Sequence, residues 1–189
     1  RPRGGRPAGA AHARRGPRCG GAVDLRGRRP RPRRGAASGR VPPAAERRRG
    51  FEAAIAGCPD ASAAIGQGDF FAASGEREAA RLLQRPGRPT ALFAANDSMA
   101  AGALRAAARL GLSVPGDLAV AGFDDSSLAG LTTPSLTSVR QPTAELARRA
   151  AAMLVAAASA GERPARGIER LTCTIVERES TRRLQGRDA

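Results

Sequence analysis

Two short apolar runs limit what this chain can fold into: "TALFAA", residues 90 to 95, and "LAVAGF", residues 118 to 123. Each has the length of a strand rather than a helix, and neither alternates apolar with polar residues. A strand without a polar face has to be covered on both sides. That is the situation of a parallel sheet with helices on its two faces, an α/β architecture.

The rest of the body fits this reading, because strand-like and helix-like units alternate from Pro43 onward. "AAERRRGFEAAIAG", residues 44 to 57, spaces Phe51 and Ile55 four apart and stops at Gly57 before Pro59, as helices do. "ASAAIGQGDF" is weakly strand-like and carries Phe70 and Phe71 at its carboxyl end. "SGEREAARLLQRPG" predicts a helix capped by Ser74, with Glu76 and Glu78 in its first turn and Arg81 and Arg85 in its last, the charge order that the helix dipole favours. "DSMAAGALRAAARLG" predicts another, with Met99, Ala103, Ala107 and Leu110 on the core face, Arg105 and Arg109 on a second face, and Gly111 closing it. "SVPGD" reads as a turn. Residues 124 to 142 show no helical period. Thr143 opens a last helix with Leu146, Ala150, Met153, Leu154 and Ala157 at core spacing, and "RLTCTIVERES" alternates as a final strand.

Parallel sheets bind ligands beyond the carboxyl ends of their strands. Asn96, the only asparagine in the chain, stands there after "TALFAA", Asp124 and Asp125 stand there after "LAVAGF", and Phe70 follows the weaker strand. An amide donates and accepts, a carboxylate accepts twice, and an aromatic ring offers a flat apolar face. Together they suit a polyhydroxyl or heterocyclic small molecule. The competing reading is structural, since Asn and Asp are preferred helix caps and turn formers.

Charge divides the chain. Residues 1 to 49 hold 16 Arg against Asp24 and Glu46, whereas residues 50 to 189 hold 16 Arg and 15 acids. An argument from net charge to a polyanion therefore applies to the first segment alone. Residues 1 to 43 read as a basic Arg/Gly/Pro/Ala-rich leader with too little apolar surface to order itself. A disordered tail, a phosphate-touching arm and a nonnative product of GC-rich coding DNA are its three readings. Residues 184 to 189 read as a tail. Catalysis is not expected: His12, the lone histidine, lies in the leader, and Asp124 and Asp125 are adjacent on an extended segment and so point in opposite directions. The chain is read as a non-enzyme without cofactor or metal. Cys19, Cys58 and Cys173 are widely spaced and read as incidental or buried thiols in a reducing compartment. No run of 18 apolar residues is present to span a membrane, and no secretory signal is visible.

The ordered stretches "ERRRGFEAAIA", "GDFFAASGEREAARLL", "RPTALFAANDSMAAGAL", "GLSVPGDLAVAGFDDS", "LTTPSLTSVRQP" and "IVERESTRR" are similar to the successive signatures of the LacI/GalR family of bacterial transcriptional regulators. The resemblance covers residues 44 to 183. It implies a periplasmic-binding-protein-like fold of type I, truncated to mostly one lobe: residues 44 to 141 resemble the C-terminal lobe, "SVRQP" a crossing between lobes, and residues 143 to 158 a helix belonging to the N-terminal lobe. Carried over residue by residue, Arg47 resembles the arginine that grips an effector, Phe70 the aromatic that stacks on it, Asn96 the amide of the "AND" motif, Asp124 the first carboxylate after "GF", and Gln141 a polar residue at the crossing. Asp125 is expected to cap or turn.

The resemblance further implies a sugar or nucleobase-like effector bound between lobes, a homodimer built on the Asp97–Leu110 helix face and the segment after Asp125, and a cytoplasmic location. Operator DNA would be bound only through a helix-turn-helix headpiece, which residues 1 to 43 do not resemble. A periplasmic sugar-binding protein of an ABC-type transporter is the alternative; it would require an export signal.

Overall fold

The computed structural model describes residues 43–58, 61–161, 163 and 169–181. The leader through residue 42, with Cys19 and His12, and the tail 184–189 lie outside the described residues. The elements in chain order are α1 (Pro43–Ala56), α2 (Ala72–Leu83), β1 (Ala91–Phe93), α3 (Asp97–Arg109), β2 (Ala119–Asp124), α4 (Ser127–Leu131), β3 (Thr137–Arg140), α5 (Thr143–Ser159) and β4 (Thr174–Val176).

One sheet runs in the order β1-β2-β3-β4. The first three strands are parallel, with Leu92 beside Val120 and Gly122 beside Ser138, and β4 returns antiparallel with Ile175 beside Val139. "TALFAA" and "LAVAGF" thus become neighbouring parallel strands. Their inward side chains, Leu92 and Val120, are sealed from solvent together with Leu118 and Leu136. α3 packs on this face of the sheet, and α2 packs on α3. On the opposite face, α1 brings Arg47 over the ring of Phe123.

α2 and α3 touch backbone to backbone, which explains two glycines inside helices. A methyl at Gly102 would lie 2.0 Å from the Ala72 carbonyl oxygen, and one at Gly75 would lie 2.3 Å from the Met99 oxygen. No side chain fits there. The approach buries Leu82, Met99, Ala103 and Ala107 completely or nearly so, and each large apolar side chain sealed this way contributes about 1.5–3 kcal/mol.

Several expectations need correction. Residues 61 to 69 form no strand; their Gly, Ala and Ser content has little affinity for a pleated ladder. Ser74 does not cap α2, which starts at Ala72. Instead its hydroxyl donates to the Phe71 carbonyl (2.9 Å) and accepts from the Asp69 amide (3.1 Å). Glu76 consequently sits past the first turn and reaches across to Arg105 (3.3 Å) and Arg109 (2.6 Å) of α3. The stretch 124 to 142 is not irregular, for it holds α4 and β3. β3 was hidden because its buried residues, Thr137 and Ser138, are polar and satisfied by side chains distant in sequence.

Leu110 stands partly exposed at the end of α3, and Cys58 and Cys173 are exposed rather than buried. The final strand is confined to Thr174–Val176. The largest departure is α5: none of its residues is buried, and Leu146, Met153, Leu154 and Val155 face outward. Its core spacing is real, but the described residues provide no core beneath it.

Candidate functional site

The carboxyl ends of β1 and β2 meet at one rim, and the backbone there is unusual. Phe70 (φ 70°), Asp124 (φ 106°) and Asp125 (φ 51°) are the positive-φ non-glycine residues among those described. L-residues enter this region at a cost, and such outliers gather where a site fixes the chain direction.

Asn96 makes two structural bonds at this rim. Its Oδ1 accepts from the Met99 amide (2.9 Å), which caps α3. Its Nδ2 donates to the carbonyl of Phe70 (3.0 Å). The same side chain thus starts a helix and holds the strained Phe70 backbone. Phe70 itself is half-buried against the core, while Phe71 is 71% exposed.

Arg47 reaches the rim from α1. Its Nη1 donates to the Ala95 carbonyl (2.6 Å), its guanidinium lies 3.7 Å from the Phe123 ring centroid, and its Nη2 is 3.7 Å from Asp124 Oδ1. Planar stacking and a directed hydrogen bond suit Arg and would not suit Lys. Gln141, just after β3, donates from Nε2 to the same Asp124 oxygen (2.7 Å). Phe70, Asn96, Arg47, Asp124 and Gln141 are thereby linked through one run of contacts, with the Ala95–Asn96 peptide as its midpoint.

Asp124 has its pKa raised above the ordinary carboxylate value. Partial burial is the main cause, with the charge of Asp97 adding to it, while Arg47 and the Gln141 hydrogen bond pull the other way. Asp97 lies behind the rim, fully buried. Its Oδ2 accepts from the amide and hydroxyl of Ser126 (2.7 and 2.9 Å) and its Oδ1 from the Ser138 hydroxyl (2.5 Å).

Asp125, expected to cap or turn, is not the cap of α4, which is Ser126, but its backbone does turn through positive φ. Its buried carboxylate binds Arg140 Nε (2.5 Å) and Arg178 Nη2 (2.6 Å), and its amide donates to Ser138 Oγ (3.0 Å). Burial works against its charge, but the bonds from Arg178 and Arg140 outweigh this and its pKa lies below the ordinary range. The two adjacent aspartates therefore diverge, one to the rim and one to an arginine pair. They do not form an acid–base couple. Sequence reasoning missed Asp97, Ser138, Arg140 and Arg178, whose partners are between 13 and 53 residues away. Only the resemblance of "SVRQP" to a crossing between lobes hinted at Arg140.

No group of three or more His, Cys, Asp or Glu side chains among the described residues is placed to hold a metal ion. No helix among them is long and apolar enough to cross a membrane.

Residues 34–181 match the family model described as "Periplasmic binding protein-like domain". The HTH-type transcriptional repressor CytR of Escherichia coli (strain K12) is 35% identical over 120 residues, which are 64% of this chain and 35% of that protein. Among solved structures, the transcriptional regulator CelR–cellobiose complex superposes with a TM-score of 0.68 at 30% identity, covering 86% of this chain and 47% of that one. A LacI-family transcriptional regulator from Sanguibacter keddieii gives 0.67 at 32% identity, covering 86% and 58%. The chain thus spans about a third of its curated relative's length and about half of the solved chains. These likenesses are to regulators rather than to enzymes. The chain belongs to the family of periplasmic binding protein-like domains, as an effector-binding domain of the LacI/GalR type.

Proposed function

We propose that this chain is the ligand-sensing domain of a LacI-type transcriptional repressor, with Arg47, Phe70, Asn96, Asp124 and Gln141 forming its half of the effector site. The observation that carries the reading is their convergence through one run of contacts at the carboxyl rim of β1 and β2. Asp124 would accept from hydroxyl or N–H groups with the oxygen that Gln141 does not occupy. Phe70 would cover an apolar ring face, and Asn96 would act mainly by holding Phe70, since both ends of its amide are engaged within the chain.

The effector class that fits is a sugar or a nucleobase-like metabolite, and the CelR complex with cellobiose favours testing sugars first. Residues 44 to 183 would form the sensor domain, with 143 to 158 given to a second lobe. Operator DNA would be engaged through a helix-turn-helix outside the described residues, by a homodimer in the cytoplasm. A periplasmic sugar-binding protein is the weaker reading, because the regulators above supply the similarity.

The test is calorimetric titration of the full chain with cellobiose, ribose, cytidine and guanine. Saturable heat with one class, lost in Arg47→Ala and in Asp124→Ala, supports the proposal. Binding that survives both substitutions places the effector elsewhere and overturns it.

A further inference from the structure

The chain leaves the sheet after β3 and returns to it in β4, and everything between, α5 included, lacks buried residues among those described. The exit is Arg140 and the return reaches Arg178. Asp125 binds both: Arg140 Nε at 2.5 Å and Arg178 Nη2 at 2.6 Å, with its own side chain only 4% exposed. Arg178 is further pinned, its Nη1 donating to the Leu136 carbonyl (2.7 Å) and its amide to Thr137 Oγ1 (2.8 Å). The clasp is therefore built, not incidental. A carboxylate this buried, held by two guanidinium groups from opposite ends of one excursion, has its preferred geometry only when exit and return lie side by side.

We propose that Asp125 is a positioning residue: an ionic clasp that locks the root of the α5 excursion and thereby sets where Gln141, the residue after Arg140, meets the rim. Asp124 and Asp125 share a peptide bond in an unusual backbone conformation, so the carboxylate at the rim and the one in the clasp move together. The clasp couples the site to the path by which the chain departs from the sheet. This goes beyond the proposed ligand site and holds for any effector the rim accepts.

The experiment is hydrogen–deuterium exchange by mass spectrometry on the full chain, comparing peptides that cover residues 137 to 142 and 173 to 178 with peptides from α3. Asp125→Asn and Arg178→Gln are each expected to speed exchange about tenfold in both root peptides and to leave α3 unchanged, with the double variant no faster than either single one. Asp125→Glu restores part of the protection. Unchanged root peptides, or effects that simply add in the double variant, overturn the clasp. If the two buried-side variants lose protection throughout, Arg140→Gln decides, because Arg140 is 57% exposed and its loss leaves the core intact. Faster exchange confined to the exit peptide then supports the proposal, and no change refutes it.

Discussion

Helices α3 and α5 are written in nearly the same alphabet. "DSMAAGALRAAAR" and "TAELARRAAAMLVAAAS" both mix Ala, Leu, Met and Arg with an apolar stripe, and by period alone both belong in a core. In the fold, Met99, Ala100, Ala103, Ala106 and Ala107 of α3 are sealed, whereas α5 buries nothing. The difference lies outside either helix. α3 has a partner whose glycine permits backbone contact, and it has the sheet beneath it; α5 has neither among the described residues. An amphipathic pattern states a need for burial, and a neighbour decides whether the need is met.

The two methionines of the chain make the contrast measurable at its largest. Met99→Ala, at a fully buried site, is expected to cost about 2–5 kcal/mol in urea denaturation. Gly102→Ala comes next at about 1–3 kcal/mol. Its direction matters more than its size, because Gly→Ala within a helix ordinarily stabilises by about 1 kcal/mol; a gain here would contradict the close approach of α2. Asn96→Ala removes the cap of α3 and should cost about 1 kcal/mol, while weakening effector binding through the freed Phe70 loop.

Asp124→Asn probes the rim between the start of α3 and the exit toward α5. The folded pKa of Asp124 is raised, so the native state holds its proton more tightly than the unfolded chain does. Stability therefore falls as pH rises from the ordinary carboxylate value through the folded one. Asp124→Asn should be more stable than the parent at pH 7, and the advantage should vanish below the ordinary carboxylate pKa. Asp125, with a lowered pKa, contributes in the opposite sense: its stabilisation is present at neutral pH and lost on acidification. Urea midpoints measured across pH 3 to 8, a range spanning the usual carboxylate pKa of about 4, would separate the two.

The smallest effect belongs to α5. Met153→Ala should change stability by no more than about 0.5 kcal/mol. A loss comparable to that at Met99, growing with protein concentration, would mean that α5 is covered in solution by another copy, and the contrast between the helices would then be one of assembly.

Much of the candidate site was legible because its residues sit at predictable places. Asn96 and Asp124 stand at the ends of true strands, and strand ends in a parallel sheet converge whatever the side chains are; Phe70 follows a loop instead and is brought to the same rim by its bond to Asn96. Arg47 and Gln141 came from the ordered motifs, since nothing in a run of three arginines marks the one that turns inward. Asn96 shows where such reading stops: its position and its local cap on Met99 were legible, but its bond to Phe70 depends on a loop 26 residues earlier. β3 was illegible for a related reason. Its buried Thr137 and Ser138 carry no apolar signal, and their partners Ser180 and Asp97 lie more than 40 residues away.

The sequence by itself determined a set of local choices: that "TALFAA" and "LAVAGF" extend, that the segments leading into Gly57 and Gly111 coil and stop there, and that Asn96 and Asp124 stand at strand ends. Those follow from propensity, period and backbone freedom, all of which act over a few residues. Only the tertiary structure decided that α3 is core and α5 is not, that one aspartate of the Asp124–Asp125 pair faces the rim while the other binds Arg140 and Arg178, and that Asn96 serves both helix and loop. Burial, ion pairing and capping across loops depend on groups far apart along the chain, and their energy exists only once the fold has brought those groups together.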